Sequence, residues 1–186
     1  MKKFEILNSL PPYGPMCISI TANGEPDYSE GFVVRFFKLD GTNWVANFKH
    51  GWTDLEFIHE FLDNQTFLVV ARGLCYYINP ENHYPLRVFG CDYIPKFETD
   101  DGRLILMNST SLTIIEPYTD HWRTERISWD GMKEVSLKEN IISGLAFDAT
   151  DSNNEWKEFT YNIDTKTLTG GSYPIEKPKK KSWWKT

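Results

Sequence analysis

Long hydrophobic runs are missing from this 186-residue chain. No window approaches the ~20 consecutive apolar residues that a membrane-spanning helix requires, so no span is expected and the chain reads as soluble. Cysteine is scarce as well. Cys17, Cys75 and Cys91 are odd in number and show no C-x-x-C spacing, which argues against a disulfide framework or a zinc knuckle. Reduced, mostly buried thiols are expected instead, in keeping with the cytoplasm. His50, His59, His83 and His121 are scattered, and no pair has the i, i+2 or i, i+4 spacing that sets two imidazoles on one side of an element. No metal or cofactor is expected. G-x-S-x-G and comparable nucleophile signatures are absent too, so no catalytic residues are nominated and the chain reads as non-enzymatic. The start, "MKKFEILNSLPPYG", has two lysines but meets Glu5, Asn8 and a Pro-Pro pair before any apolar stretch, a poor match to a secretory signal.

Positive charge is short everywhere except at the end. Residues 176–186, "EKPKKKSWWKT", hold five Lys against one Glu, leaving residues 1–175 with 15 Lys and Arg against 25 Asp and Glu, a net −10. Such a body repels nucleic-acid phosphates and is steered toward a basic partner. A protein partner is therefore expected, and nucleic acid is not.

Aromatic residues are plentiful, at 15% of the chain, while Leu, Ile and Val come in short runs, a balance suited to half-buried pleated surfaces. The chain also repeats itself. Segments beginning at Phe57, Tyr93 and Met132 align, and their turn pairs Asn64-Gln65, Asp101-Gly102 and Glu139-Asn140 fall 37 and then 38 residues apart. Each unit predicts a strand, a polar turn, a second strand (Phe67 to Ala71, Leu104 to Met107, Ile141 to Leu145) and a third (Cys75 to Ile78, Leu112 to Ile115, Phe159 to Ile163). Alternation and Asn, Asp, Gly and Pro punctuation are what antiparallel hairpins need. An earlier stretch, "PMCISITANGEPDYSEGFVVRFFKLDGTNWVANF", predicts a looser first unit of three strands with a turn at Leu39 to Thr42.

The expected fold is all-β, four antiparallel meanders of blade-like length in a small propeller-like array, with an open sheet stack or a barrel as the alternative. Residues 1–175 are read as one β-repeat domain and 176–186 as a basic, Trp-containing tail that should be mobile. A short helix over Thr53 to Leu62 is the one helical alternative.

Several stretches resemble chemistry and are better explained by structure. "FTYNIDTKTLTGG" ends in Gly170-Gly171, yet no helix pattern follows to aim amides at a phosphate, so Thr165 and Lys166 are read as hairpin turn and the glycines as a bulge or strand end. Ser128 in "RISWDG" and Cys75 in an apolar strand are read as structural. "DATDSNNEW", Asp148 to Trp156, lacks the residue order of a calcium loop. Trp52, Trp122, Trp129 and Trp156 each stand beside a turn with polar neighbours, where Trp is either a packing wedge or a binding hot spot. These four are the candidate binding residues.

From His121 onward, "HWRTERISWDGMKEV", "IISGLAFDAT" and "NEWKEFTYNIDTKTLTGGSYP", with the basic Trp-rich end, resemble a group of uncharacterised bacterial proteins. The likeness is carried by Ser128, Trp129, Asp130, Gly131, Gly144, Trp156, Phe159, Gly170, Gly171, Ser172 and Tyr173, within less than a third of the chain. It implies an immunity- or antitoxin-like partner of a bacterial toxin, with no catalytic residues. A protein-binding module that occludes a basic toxin domain is the resulting expectation. The alternative is a carbohydrate- or small-molecule-binding domain or a hydrolase, in which Trp52, Trp122 and Trp156 would gather around one pocket.

Overall fold

Strands end where turn chemistry is concentrated. A computed structural model describes residues 2–14, 16–62, 65–118, 120–150 and 152–174, which form sixteen strands and, among those residues, no helix. No helix long and apolar enough to cross a membrane is therefore present among them. The tail at 176–186 lies outside the described residues. Contacts divide the chain into two compact units: Met1–Asn108 with Leu112–Arg123, and Ser109–Ser111 with the chain from Thr124 onward.

The first unit holds three four-stranded sheets. The first comprises β1 (Phe4–Leu7), β2 (Ile18–Ile20), β3 (Phe32–Phe37) and β4 (Asn43–Phe48) in the order β1-β3-β4-β2. Its β3–β4 hairpin turns where expected: Asp40 Oδ1 accepts the Thr42 amide at 2.8 Å and the Thr42 hydroxyl at 2.6 Å. The rest departs from the predicted three-stranded meander. Residues 4–7, read only as a chain start, form a strand that pairs with β3, not β2, and β2 runs parallel to β4. Residues 8–17, which include the Pro11-Pro12 pair, separate β1 from β2, far more than the two to five residues of a tight hairpin. Pairing with β3 also sets Glu5 opposite Arg35, an ion pair of 3.0 Å.

The second sheet is a meander of β5 (Phe57–Glu60), β6 (Phe67–Ala71), β7 (Leu74–Ile78) and β8 (Arg87–Gly90); the third is a meander of β9 (Lys96–Glu98), β10 (Leu104–Met107), β11 (Leu112–Ile115) and β12 (His121–Arg123). Every residue of β6 is buried, because it is covered on both faces. Alternate side chains part accordingly: Phe67, Val69 and Ala71 join the core shared with the first sheet, while Leu68 and Val70 join Leu104, Leu106 and Ile115 in the core shared with the third. Residues 57–60 are strand, so the helical alternative for Thr53 to Leu62 is not adopted.

The second unit carries the fourth sheet, a meander of β13 (Met132–Lys138), β14 (Ile141–Phe147), β15 (Trp156–Asn162) and β16 (Thr167–Gly170). Residues 163–166 form the β15–β16 turn, with Lys166 at φ 54°, and Gly170 and Gly171 at φ 76° and 90° close the strand, as expected for a hairpin and not a phosphate loop. The architecture is thus all-β with four four-stranded sheets. The cysteines differ from expectation: Cys75 is buried in β7 and Cys91 partly buried, but Cys17, in the loop before β2 and outside both cores, is exposed.

Candidate binding surface

Three chain segments of the first unit lock together around Trp52. The Gly51 amide donates to Ala71 O (2.9 Å), the Trp52 amide to Cys91 O (2.8 Å), the Thr53 amide to Arg72 O (3.0 Å) and the Gly73 amide to Leu55 O (3.0 Å). The Thr53 hydroxyl donates to Tyr93 O. Such close backbone approach requires glycine. A Cβ on Gly51 would sit 2.4 Å from Cys91 O and 2.5 Å from Arg72 O, and one on Gly73, at φ 82°, 2.6 Å from Thr53 Oγ1. Beneath the loops, Tyr93 is buried and its hydroxyl meets Thr113 Oγ1 at 2.6 Å, so burial and that bond fix the 90–94 segment from below.

This rigid backbone presents Trp52 82% exposed and Ile94 62% exposed, and the two line one open depression with Thr53, Asp54 and Leu55. Neither Trp122 nor Trp156 lines it. Among the described residues the Trp52 indole has no ring contact, cation contact or hydrogen bond, and the Asp54 carboxylate has no ion pair or hydrogen bond. Asp54, Leu55 and Ile94 were not nominated from the sequence, because their assembly depends on segments about 40 residues apart.

The other three Trp are engaged in the fold. Trp122 is half-buried in β12, opposite Ile114. Trp129 packs edge-on against Tyr173, ring centroids 4.5 Å apart, and the Arg126 guanidinium lies 5.5 Å from the Trp129 ring and 4.8 Å from that of Tyr173. Arg126 also donates to Ser128 O (2.9 Å) and Trp129 O (2.6 Å). Trp156 leans on Phe147 at 5.1 Å, with Lys133 Nζ 4.2 Å from its ring centroid.

The Ser-Trp-Asp-Gly and Gly-Gly-Ser-Tyr motifs meet in space. The buried Ser128 hydroxyl donates to Gly131 O at 2.6 Å, the Ser172 hydroxyl donates to Phe147 O at 2.6 Å and accepts the Trp129 amide at 3.1 Å, and Ile127 O accepts the amides of Ser172 and Tyr173. Ser128 therefore serves as a turn clasp. Asp148, in the loop weighed for calcium, is held by Lys157 Nζ (2.6 Å) and the Thr150 hydroxyl (2.7 Å), which keep its carboxyl at about 2. Among the described residues no group of three or more His, Cys, Asp and Glu is placed to hold a metal ion.

At the edges of the second and third sheets, His121 stacks on Phe89 at 4.1 Å, and its Nδ1 lies 3.3 Å from both the Tyr77 hydroxyl and Arg87 Nη1. Burial, with the Arg87 charge added, lowers its basicity, and burial pushes the Tyr77 hydroxyl well up. A cavity of about 150 Å³ lies between the first two sheets, walled by Phe37, Leu39, Phe67 and Pro80 with Lys3 and Asn79 among its polar lining. Compared with known proteins, the chain matches no family model and no curated protein.

Proposed function

We propose that this chain is a non-enzymatic protein-binding module, an immunity- or antitoxin-like protein that binds and occludes a basic domain of a bacterial toxin in the cytoplasm. The observation that carries this is Trp52, 82% exposed and, among the described residues, without a ring contact, cation contact or hydrogen bond from its indole. Its backbone is nonetheless tied on both sides, by the Gly51, Trp52 and Thr53 amides to Ala71 O, Cys91 O and Arg72 O. A large amphipathic ring offered on a pre-ordered loop loses little conformational freedom on binding, which is the property of interface hot spots. The unit that bears it holds 10 Lys and Arg against 16 Asp and Glu, a field that speeds encounter with a basic surface.

A second reading, a small-molecule- or carbohydrate-binding domain or a hydrolase, draws its support from the apolar cavity beside Lys3 and Asn79. Trp52 lies outside that lining. The two readings separate in the producing cell. If the first holds, a neighbouring reading frame encodes a protein that arrests growth when expressed alone, co-expression of this chain restores growth, and Trp52→Ala weakens the rescue. A neighbourhood in which no product is toxic would overturn it.

A further inference from the structure

Four side chains around Trp52 form a chemically specific set. The indole offers both an unstacked face and an unpaired N–H, Asp54 offers an unpaired carboxylate two residues along, and Leu55 and Ile94 supply an apolar ledge in the same depression. Residues 51–62 contain Asp54, Glu56 and Glu60 and no Lys or Arg. Glu56 is engaged by Arg72 at 3.6 Å and by His50 at 3.3 Å, which leaves Asp54 as the carboxylate open to a visitor. An aromatic face, a free carboxylate and an apolar ledge complement a cation carried on a methylene stem.

We infer that the Trp52 depression receives an arginine side chain of a basic protein partner, its guanidinium stacked on the indole and paired with Asp54, its stem lying over Leu55 and Ile94. This rests on the protein-binding reading above and names the chemistry that site selects. Arginine is favoured over lysine on physical grounds. A guanidinium is planar, stacks on a ring, grips a carboxylate through two parallel N–H groups and is more weakly hydrated than an ammonium. The stem of either side chain can cover apolar surface, so the ledge adds affinity while the head group sets selectivity. The chain itself makes the same contact elsewhere, where the Arg126 guanidinium lies 4.8 Å from the Tyr173 ring and 5.5 Å from that of Trp129.

The test uses the full chain, nitrogen-15 labelled, with the indole N–H resonance of Trp52 assigned through Trp52→Phe. Two capped peptides serve as probes, Gly-Arg-Gly-Arg-Gly and its lysine counterpart. The arginine peptide should shift the Trp52 indole resonance saturably, and the lysine peptide should bind about threefold or more weakly. Asp54→Asn should weaken the arginine peptide by about two- to fivefold, and added salt should weaken its binding to the parent chain. Trp52→Ala should abolish binding while leaving the remaining amide spectrum in place. Equal affinity for the two peptides, or unchanged affinity in Asp54→Asn or Trp52→Ala, overturns the inference. A toxin that still binds the chain under those outcomes would preserve the protein-binding reading while refuting arginine selection. Arginine selectivity in a chain without a toxin partner would refute that reading and uphold the selection.

Discussion

Replacing Gly51 by alanine tests whether the platform under Trp52 is as tightly built as its geometry implies. The added methyl would lie 2.4 Å from Cys91 O, 2.5 Å from Arg72 O and 2.8 Å from Leu74 N, all of them backbone atoms that no rotamer change can move aside. Relief requires separating the 51–53 segment from its neighbours, which strains the amide bonds from Gly51 to Ala71 O (2.9 Å), Trp52 to Cys91 O (2.8 Å) and Thr53 to Arg72 O (3.0 Å). Overpacking of this kind costs roughly 1–3 kcal/mol, and each of the three weakened backbone bonds contributes about 1 more, so a loss of about 4–6 kcal/mol is expected. For a chain of this size the melting midpoint should fall by about 8–24 °C. Gly41→Ala is the control. Gly41 has φ 86° but nothing within 4 Å of its added Cβ, so its cost is limited to the left-handed backbone penalty of about 1–2 kcal/mol. Urea unfolding and thermal melts followed by circular dichroism measure both. A Gly51→Ala protein within about 1 kcal/mol of the parent, or no worse than Gly41→Ala, would refute the claim that these segments are locked.

Trp52→Ala should change unfolding free energy by less than about 0.5 kcal/mol in the same urea assay, since the indole is 82% exposed; a loss above 1 would mean that the ring belongs to the fold. Ser172→Ala strands the Trp129 amide and removes a donor from Phe147 O, so a loss of about 1–3 kcal/mol is expected by denaturant titration, and a change under a few tenths would show that water substitutes for the hydroxyl. Asp148 gives a pH signature. Its folded carboxyl titrates at about 2, because Lys157 and then Thr150 hold it, whereas the unfolded value is about 3.9, so its stabilising effect is complete above that value and is lost as pH falls toward 2. Melts of Asp148→Asn from pH 7 to pH 2 should start lower and fall less steeply between pH 4 and 2; parallel curves would contradict the assignment.

Much of the fold could be read in the sequence, because local chemistry decides it. The strands at 67–71, 104–107 and 112–115 lie where the apolar runs predict, and the turns at Asp101-Gly102 and Glu139-Asn140 lie where the polar pairs do. These are contacts between neighbours in sequence. The first sheet departs from expectation for the complementary reason. Its β1–β3 and β2–β4 pairings bridge long loops, and four residues, "FEIL", look the same whether they form a strand or a chain start. Cys17 departs from the burial usual for a free thiol because it stands just before β2, where the chain has not yet entered the core.

The binding surface was half legible, and the missing half is a matter of which backbone atoms surround each Trp. Trp52, Trp122, Trp129 and Trp156 have similar polar and turn-rich neighbours in sequence, and nothing local ranks them. Rank comes from contacts made at a distance. Trp129 reaches Ser172 and Tyr173, more than 40 residues away, through its amide to the first and its ring to the second. Trp156 closes on Phe147 and Lys133 across its own sheet. Trp52 also makes its tie 39 residues away, at Cys91, but makes it through the main chain. A tie through the amide leaves the side chain unused, and two glycines, Gly51 and Gly73, allow the backbones to come that close. The same interlock brings Ile94 into the depression that Trp52 lines, and Asp54 beside them has no ion pair or hydrogen bond from its carboxylate among the described residues. Because the backbone under Trp52 is already ordered on folding, a partner has only the two side-chain torsions of the indole left to fix, while its apolar burial and cation stacking remain available.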